Sequence, residues 1–345
     1  MKFKILTIAA LAALLGACGS DEPKPSTSDD DVVRVKDEAD RTVLIGADDG
    51  KLYNMQGGSV YATLPGCNQI TAMAMHGENY YATGVTADGT LTYWANGRAV
   101  SLNTTGSTVD IVRVHNDIYV LGSNGTLYVG DAPATTLDQG NPVAIVRDAR
   151  GYGVACNTDE GITYKIGSTT SSTSQYNVRA TGADLLATAA ATTFNISGYI
   201  YQMVNGQEMH LPCLWLNGSA EATTLDINYT EREQNNRTYT SGQVMDVAHN
   251  NQSIIAVGSR SNATTQVATV WIGSASTDTD DVKTYWQADG NVTAEARQVL
   301  VYGGDIYVMT VEHNHDTGTH CTRIWMNHQL KGTVAGIVGN AMVVI

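Results

Sequence analysis

The sequence is poor in phenylalanine, with two, in proline, with six, and in cysteine, with five. The few cysteines never form a Cys-x-x-Cys pair, which excludes a disulfide-dense scaffold and a thiolate zinc site. Cys67, Cys156, Cys213 and Cys321 each sit in or beside an apolar run, so buried thiols are expected, with one disulfide as the rival. Lys and Arg number 20 against 34 Asp and Glu, for a formal charge of −14. Without clustered cations the chain is not a nucleic-acid binder, and its exterior suits cations or plain solubility. There is no GxSxG, no HExxH and no phosphate loop. Helical periodicity is missing outside the first residues; 183–194 is the one stretch with helical character, and its β-branched end favours strand.

What is present begins with an export signal. Lys2 and Lys4 precede an apolar run, Ile5–Leu15, that is too short to span a bilayer. Leu15-Gly16-Ala17-Cys18 resembles the bacterial lipobox, which implies cleavage before Cys18 and a lipid on its thiol. Residues 1–17 are then the signal peptide and 18–31 an acidic tether with too little apolar surface to fold. Loss of Lys2 and Lys4 takes the formal charge from −14 to −16. The Ser-Asp-Glu that follows Cys18 resembles the signal that sends lipoproteins to the outer cell face in anaerobic Gram-negative gut bacteria. An outer-membrane lipoprotein exposed at the surface, or otherwise facing the periplasm, is expected, held to the membrane through Cys18.

Residues 32–345 repeat one unit. The turn in GSNGTLYVG (122–130) recurs in DDGKLYNM (48–55), ADGTLTYW (87–94) and DEGITYKI (159–166). An aromatic anchor follows each unit's turn at Tyr53, Trp94, Tyr128, Tyr164, Trp215, Trp271 and Trp325, with separations of 41, 34, 36, 51, 56 and 54. Each unit reads as four β-rich runs parted by Gly, Asn and Asp. Asp-Gly and Asn-Gly predict tight hairpins with two positive-φ residues between the second and third strands. Runs such as TAMAM, VAIV and IIAVG are apolar at successive positions, as in sheets covered on both faces. Seven four-stranded antiparallel sheets that cover one another form a closed β-propeller. The tail AGIVGNAMVVI (335–345) starts a further unit that can complete the first blade.

The anchors carry an aromatic-x-Asn-Gly signature: YWANG (93–97), LWLNG (214–218), and the decayed VWIGS (270–274) and IWMNH (324–328). In this the chain resembles surface lipoproteins with β-propeller folds from anaerobic Gram-negative gut bacteria. The resemblance spans about 32–345 and implies architecture more than activity.

Candidate sites follow from uneven loops. The last three units carry long second-to-third segments, 204–212, 259–266 and 311–321, and the polar link 228–242 is long as well; Glu231 and Tyr239 in it are candidate ligand contacts. Arg34, Arg113 and Arg147 occupy equivalent places in VVRV, IVRV and IVRD, an arrangement suited to a carboxylate ligand. His313, His315 and His320, beside Glu312 and Asp316, have the composition of a zinc or copper site, so a divalent metal at 312–320 is the one cofactor considered. NTDEGITY (157–164) resembles the Asp-box turn of sialidases. Asp110, Asp184, Asp246 and Glu295 lie near the starts of inner strands, where paired carboxylates can cleave glycosides. The composite expectation is a surface protein that binds a glycan or a partner protein. A propeller glycosidase or lyase is the rival, and a structural component of a surface complex the third reading.

Overall fold

The computed structural model describes residue 36 and residues 41–345 except 115, 138–139, 149–150, 168, 174, 188–191, 228–238, 251–252, 275–278 and 285–290. Consecutive runs pair as expected, giving seven four-stranded antiparallel sheets in a ring, a seven-bladed β-propeller. From the channel outward, blade 2 is Cys67–His76, Asn79–Thr86, Thr90–Ala95 and Arg98–Thr105; blade 3 is Thr108–Val114, Asp117–Gly122, Thr126–Val129 and Ala132–Thr136. Blade 4 is Asn141–Asp148, Gly151–Thr158, Gly161–Ile166 and Thr169–Ser172, and blade 5 Val178–Ala187, Thr192–Val204, Gln207–Trp215 and Thr223–Thr224. Blade 6 is Ser241–His249, Ser253–Ser261, Gln266–Ser274 and Thr279–Thr284, and blade 7 Val292–Tyr302, Asp305–Asn314, Thr319–Met326 and Gln329–Ala335.

Blade 1 joins the two ends of the propeller. Its second, third and outer strands are Val43–Ala47, Lys51–Asn54 and Val60–Thr63, and its inner strand is Gly339–Val344, with Val343 opposite Leu44. Thr42 and Ile345 exchange two backbone hydrogen bonds of 2.9 and 2.8 Å. Arg41 adds a buried lock, donating to Asp305 at 2.5 Å and to the Tyr307 hydroxyl at 3.1 Å of blade 7. The inner place that the repeat gives to VVRV is therefore held by the C-terminal strand; Arg34 itself lies outside the described residues.

Each pair of neighbouring blades shares an apolar cluster, and alternate residues of one strand serve opposite clusters. Val43 and Ile45 face Met309 and Ile324 of blade 7, while Leu44 between them faces Ile70 and Trp94 of blade 2. This two-sided burial is why the runs are apolar at successive positions. Six anchors, Tyr53, Trp94, Tyr128, Trp215, Trp271 and Trp325, lie on third strands and pack against the preceding blade. Tyr164 does not. It pairs with Ala155, one residue out of step with the other six, and its ring lies 5.9 Å from Phe194 of the following blade, because a one-residue slip in a strand reverses the face. Lys165, opposite Val154, holds the anchor place in blade 4.

The turns correct the hairpin expectation in blades 1 to 3, whereas Asn205-Gly206 of blade 5, at φ 53° and 79°, meets it. At Asp49-Gly50, Asp88-Gly89 and Asn124-Gly125 only the glycine has positive φ, of 73°, 70° and 78°. The preceding Asp or Asn instead accepts the N–H two residues on, as Asn124 does from Thr126 at 3.0 Å. These are type I turns closed by a left-handed glycine. Paired positive φ occurs in the signature itself, between third and outer strands: Asn96 and Gly97 at 48° and 79°, Asn327 and His328 at 47° and 69°. There the Asn side chain clamps the start of the second strand, Asn96 accepting from Tyr80 N–H and Asn327 from Ile306 N–H, both at 3.0 Å.

Every inner strand carries a bulged residue at the same height, Thr71, Val109, Val143, Thr181, Met245, Arg297 and Asn340, and that of blade 2 a second at Asn68. Bulges re-aim the side chains that follow. Asp110, Asp246 and Gln298, each just past its bulge, reach to the next inner strand, accepting from Ile145, Val299 and Met342 N–H at 2.9, 3.0 and 2.5 Å. Thr71 and Thr181 hydroxyls also reach the next inner strand, donating to the Thr108 and Val244 carbonyls at 2.9 and 2.6 Å.

Candidate ligand-binding sites

In this up-and-down topology the second-to-third turns and the links between blades share one face, termed upper, and the inner-to-second hairpins lie on the lower face. The long segments of blades 5 to 7 stand on the upper face, as strand-paired hairpins. In blade 5 the strands continue to Val204 and Gln207 around Asn205-Gly206, at φ 53° and 79°. Met203 near this tip is 66% exposed. Below it, His210 stacks on Tyr199 with ring centroids 4.1 Å apart and contacts Glu208 at 2.8 Å.

The blade 7 hairpin gathers the three histidines, two of them stacked and the third tilted against the pair. His313 and His320 are direct cross-strand partners with near-parallel rings 4.4 Å apart, and His315 lies 4.3 Å from His313. Desolvation, with His315 and His320 beside it, holds His313 below the usual imidazole value. Stacked rings send their in-plane nitrogens past one another. Among the described residues no group of three or more His, Cys, Asp or Glu is placed to hold a metal ion. Glu312 is committed to Arg323 at 2.5 Å, and Asp316 accepts from Asn291 at 2.6 Å.

Of the ligand contacts expected from sequence, the three that lie among the described residues do not converge. Arg113 and Arg147 sit at the lower ends of inner strands, each over a tyrosine of the preceding blade: Arg113 5.9 Å from the Tyr81 ring and Arg147 4.3 Å from Tyr119. Burial lowers the Arg113 pKa from its ordinary value. They are repeated inter-blade contacts. Tyr239 is at the opposite face, 1% exposed, with Arg260 stacked 4.5 Å over its ring. Glu231 and Cys18 lie outside the described residues. The four remaining cysteines are free, and burial pushes Cys67 and Cys156 up to about 11, far from a reactive thiolate.

On the upper face of blade 4 lies a groove of ≈ 870 Å³, lined by Asn141, Thr158, Asp159, Glu160, Ser172 and Tyr176 among others. Tyr176 is 71% exposed. The Asp-box-like segment thus forms one wall, with Thr158 accepting from Glu160 N–H at 3.2 Å to shape the turn. Composition pointed to the turn but not to Tyr176, whose link is short and polar.

The lower end of the channel holds a second cavity, ≈ 570 Å³, reached by residues of four inner strands. Asp110, Asp184 and Asp246 line it with His249, Asn250 and Gln298. Burial pushes Asp246 up to about 8, with Asp184 and Asp110 adding to the effect, and Asp110 up to about 6, although each accepts two backbone N–H groups. Asp184 contacts His249 Nδ1. Glu295, the fourth acid read from sequence, pairs with Arg297 at 2.5 Å instead.

The chain matches no protein-family profile. No curated protein matches it. It is similar to solved structures that include a quinonprotein alcohol dehydrogenase-like protein from Bacteroides thetaiotaomicron, 11% identical over 88% of this chain and 77% of that one, TM-score 0.48. The periplasmic gluconolactonase of Pseudomonas aeruginosa is 10% identical over 88% and 99%, TM-score 0.47, and a computationally designed protein 16% identical over 82% and 80%, TM-score 0.48. These likenesses are to β-propeller architecture alone.

Proposed function

We propose that the chain is a lipid-anchored cell-surface protein that binds a glycan in the upper groove of blade 4. The observation that carries this is the lining: an exposed aromatic ring beside carboxylates, hydroxyls and an amide. A sugar presents an apolar C–H face for the ring and hydroxyls that both donate and accept, which such a mixture satisfies. The groove stands on a rigid scaffold next to the tall hairpin of blade 5, the usual setting for recognition. The lipobox resemblance at Cys18 supports the anchor, and Ser-Asp-Glu after it supports display on the outer face.

A glycan array followed by titration of the best hit tests the groove. Tyr176→Ala is expected to weaken that hit roughly tenfold, and unchanged affinity would reject the groove. Release of reducing ends during the same incubation would move the reading to a glycosidase. Cys18→Ser is expected to shift the chain from the membrane pellet to the soluble fraction; retention in the pellet would refute the anchor. A partner protein is the second reading, favoured by exposed Met203 and Val204 at the blade 5 tip. In that case Met203→Asp abolishes capture of the partner while Tyr176→Ala leaves it intact.

A further inference from the structure

The lower channel cavity has a chemistry of its own, separate from the upper groove. Its size lies within the roughly 300–1,000 Å³ of small-molecule sites, and its lining is mainly polar, with Val247, Leu300 and Val301 as the larger apolar members. Asp184 and His249 come from different blades, their side chains only 21% and 14% exposed. Their contact uses His249 Nδ1 and Asp184 Oδ2, so Nε2 of the imidazole and the second carboxylate oxygen have no protein hydrogen bond among the described residues. Gln298 spends its carbonyl oxygen on Met342 N–H and leaves its amide N–H₂ without a protein acceptor among the described residues. The cavity therefore offers an acceptor oxygen, an imidazole nitrogen oriented by a carboxylate, and an amide donor.

Charge narrows the ligand. Among the described residues no Lys or Arg lines the cavity, which disfavours anions. Asp110 and Asp246 each spend their oxygens on two backbone N–H groups, Ile111 and Ile145 for the first, Val247 and Val299 for the second. They act as staples between inner strands. Asp184 already faces His249, so no unpaired carboxylate cage remains for a cation. Among the described residues no Trp, Tyr or Phe lines the space either, so an extended oligosaccharide stacked on a platform does not fit. We propose that this cavity binds a small neutral polyhydroxylated molecule, a free monosaccharide or acyclic polyol, through Asp184, His249 and Gln298. Hydroxyls of such a ligand donate to the carboxylate or imidazole and accept from the amide, satisfying the one remaining polar atom of each of these three side chains.

The test is ligand-observed NMR and calorimetry on the purified chain with glucose, galactose, xylose, myo-inositol and glycerol, and with putrescine as a cationic probe. At least one neutral probe is expected to bind and to shift the His249 ring resonances in the unmodified protein. His249→Ala is expected to weaken that binding at least roughly tenfold. Gln298→Glu, which keeps the acceptor for Met342 and removes the donor, is expected to weaken it as well, while Tyr176→Ala on the opposite face leaves it unchanged. No binding by any neutral probe, binding that moves other resonances but not His249, or tighter binding of putrescine than of every sugar would each overturn the proposal. Loss on Tyr176→Ala with no effect of His249→Ala would assign the sugar to the upper groove instead. The His249 shift needs no variant, so a destabilised mutant does not leave the outcome open.

Discussion

The repeated Asn of the anchor signature shows how one side chain serves two demands. It occupies the left-handed region, which costs most residues about 1–2 kcal/mol, and its amide bridges to the second strand. In blade 7 the following position is His328 at φ 69°, where blade 2 has Gly97. His328→Gly is therefore expected to stabilise the chain by about 0.5–1 kcal/mol, since the left-handed strain is removed and offset only in part by the greater freedom of glycine when unfolded. Urea denaturation of both proteins checks this, and a lower midpoint for the variant would show that contacts of the His328 side chain outweigh its backbone strain. The signature was legible in sequence as a recurring word. Its role was not, because the partner N–H groups of Tyr80 and Ile306 lie 16 and 21 residues upstream and carry no side-chain pattern.

At the scale of the element, the bulge in each inner strand governs what its partner tolerates. In blades 2, 5 and 6 the second strand has a glycine, Gly84, Gly198 or Gly258, opposite the bulge, because the bulge brings the inner backbone close. A Cβ on Gly258 would lie 1.9 Å from the Gln243 carbonyl oxygen, and one on Gly198 the same distance from that of Arg179. Gly258→Ala is expected to cost about 1–3 kcal/mol or more, as overpacking does. A thermal midpoint within a degree of the parent would mean the inner strand of blade 6 can slide away. The bulges were not legible in sequence, because one inserted residue in a run apolar on both faces leaves no break in the pattern. The same blindness misassigned Tyr164. Lys165 holds the place where the other blades bring an aromatic, and beside it between blades 3 and 4 is a cavity of ≈ 200 Å³ bounded by Leu137, Val154 and Cys156. Lys165→Trp is expected to fill it and raise stability by about 0.5–2 kcal/mol, read as a higher urea midpoint. A fall would show that the indole cannot enter without moving Leu137.

At the scale of the whole molecule, seven interfaces close only because the C-terminal strand completes blade 1, and that closure seals acids inside the channel. The ring was readable from the anchors and from two-sided burial. The channel groups were not readable as a site, since Asp110, Asp246 and Gln298 are departures from the repeat at a position that elsewhere holds Ala72, Ala144, Gly182 or Ala341. Protonation of Asp110 and Asp246 links closure to pH. Asp246 is pushed up to about 8 from 3.8, so between these values the folded ring holds a proton that the unfolded chain has released. The stability this contributes is complete below about pH 4 and is lost as pH rises through 8. Asp110, pushed up to about 6, acts the same way over a narrower window. Asp305 has the opposite sign: Arg41 holds it below its ordinary value, so its contribution is present above about pH 4 and lost only on further acidification. The urea midpoint is thus expected to fall from pH 5 to pH 8, by at most about 1.4 kcal/mol per pH unit for each proton released. Asp246→Asn, whatever its absolute stability, is expected to flatten the profile between pH 6 and 8 and to leave the Asp110 window below it. A wild-type midpoint that stays level or rises across pH 6 to 8 would mean that Asp246 is ionised in the channel, and that the N–H groups of Val247 and Val299 outweigh its burial.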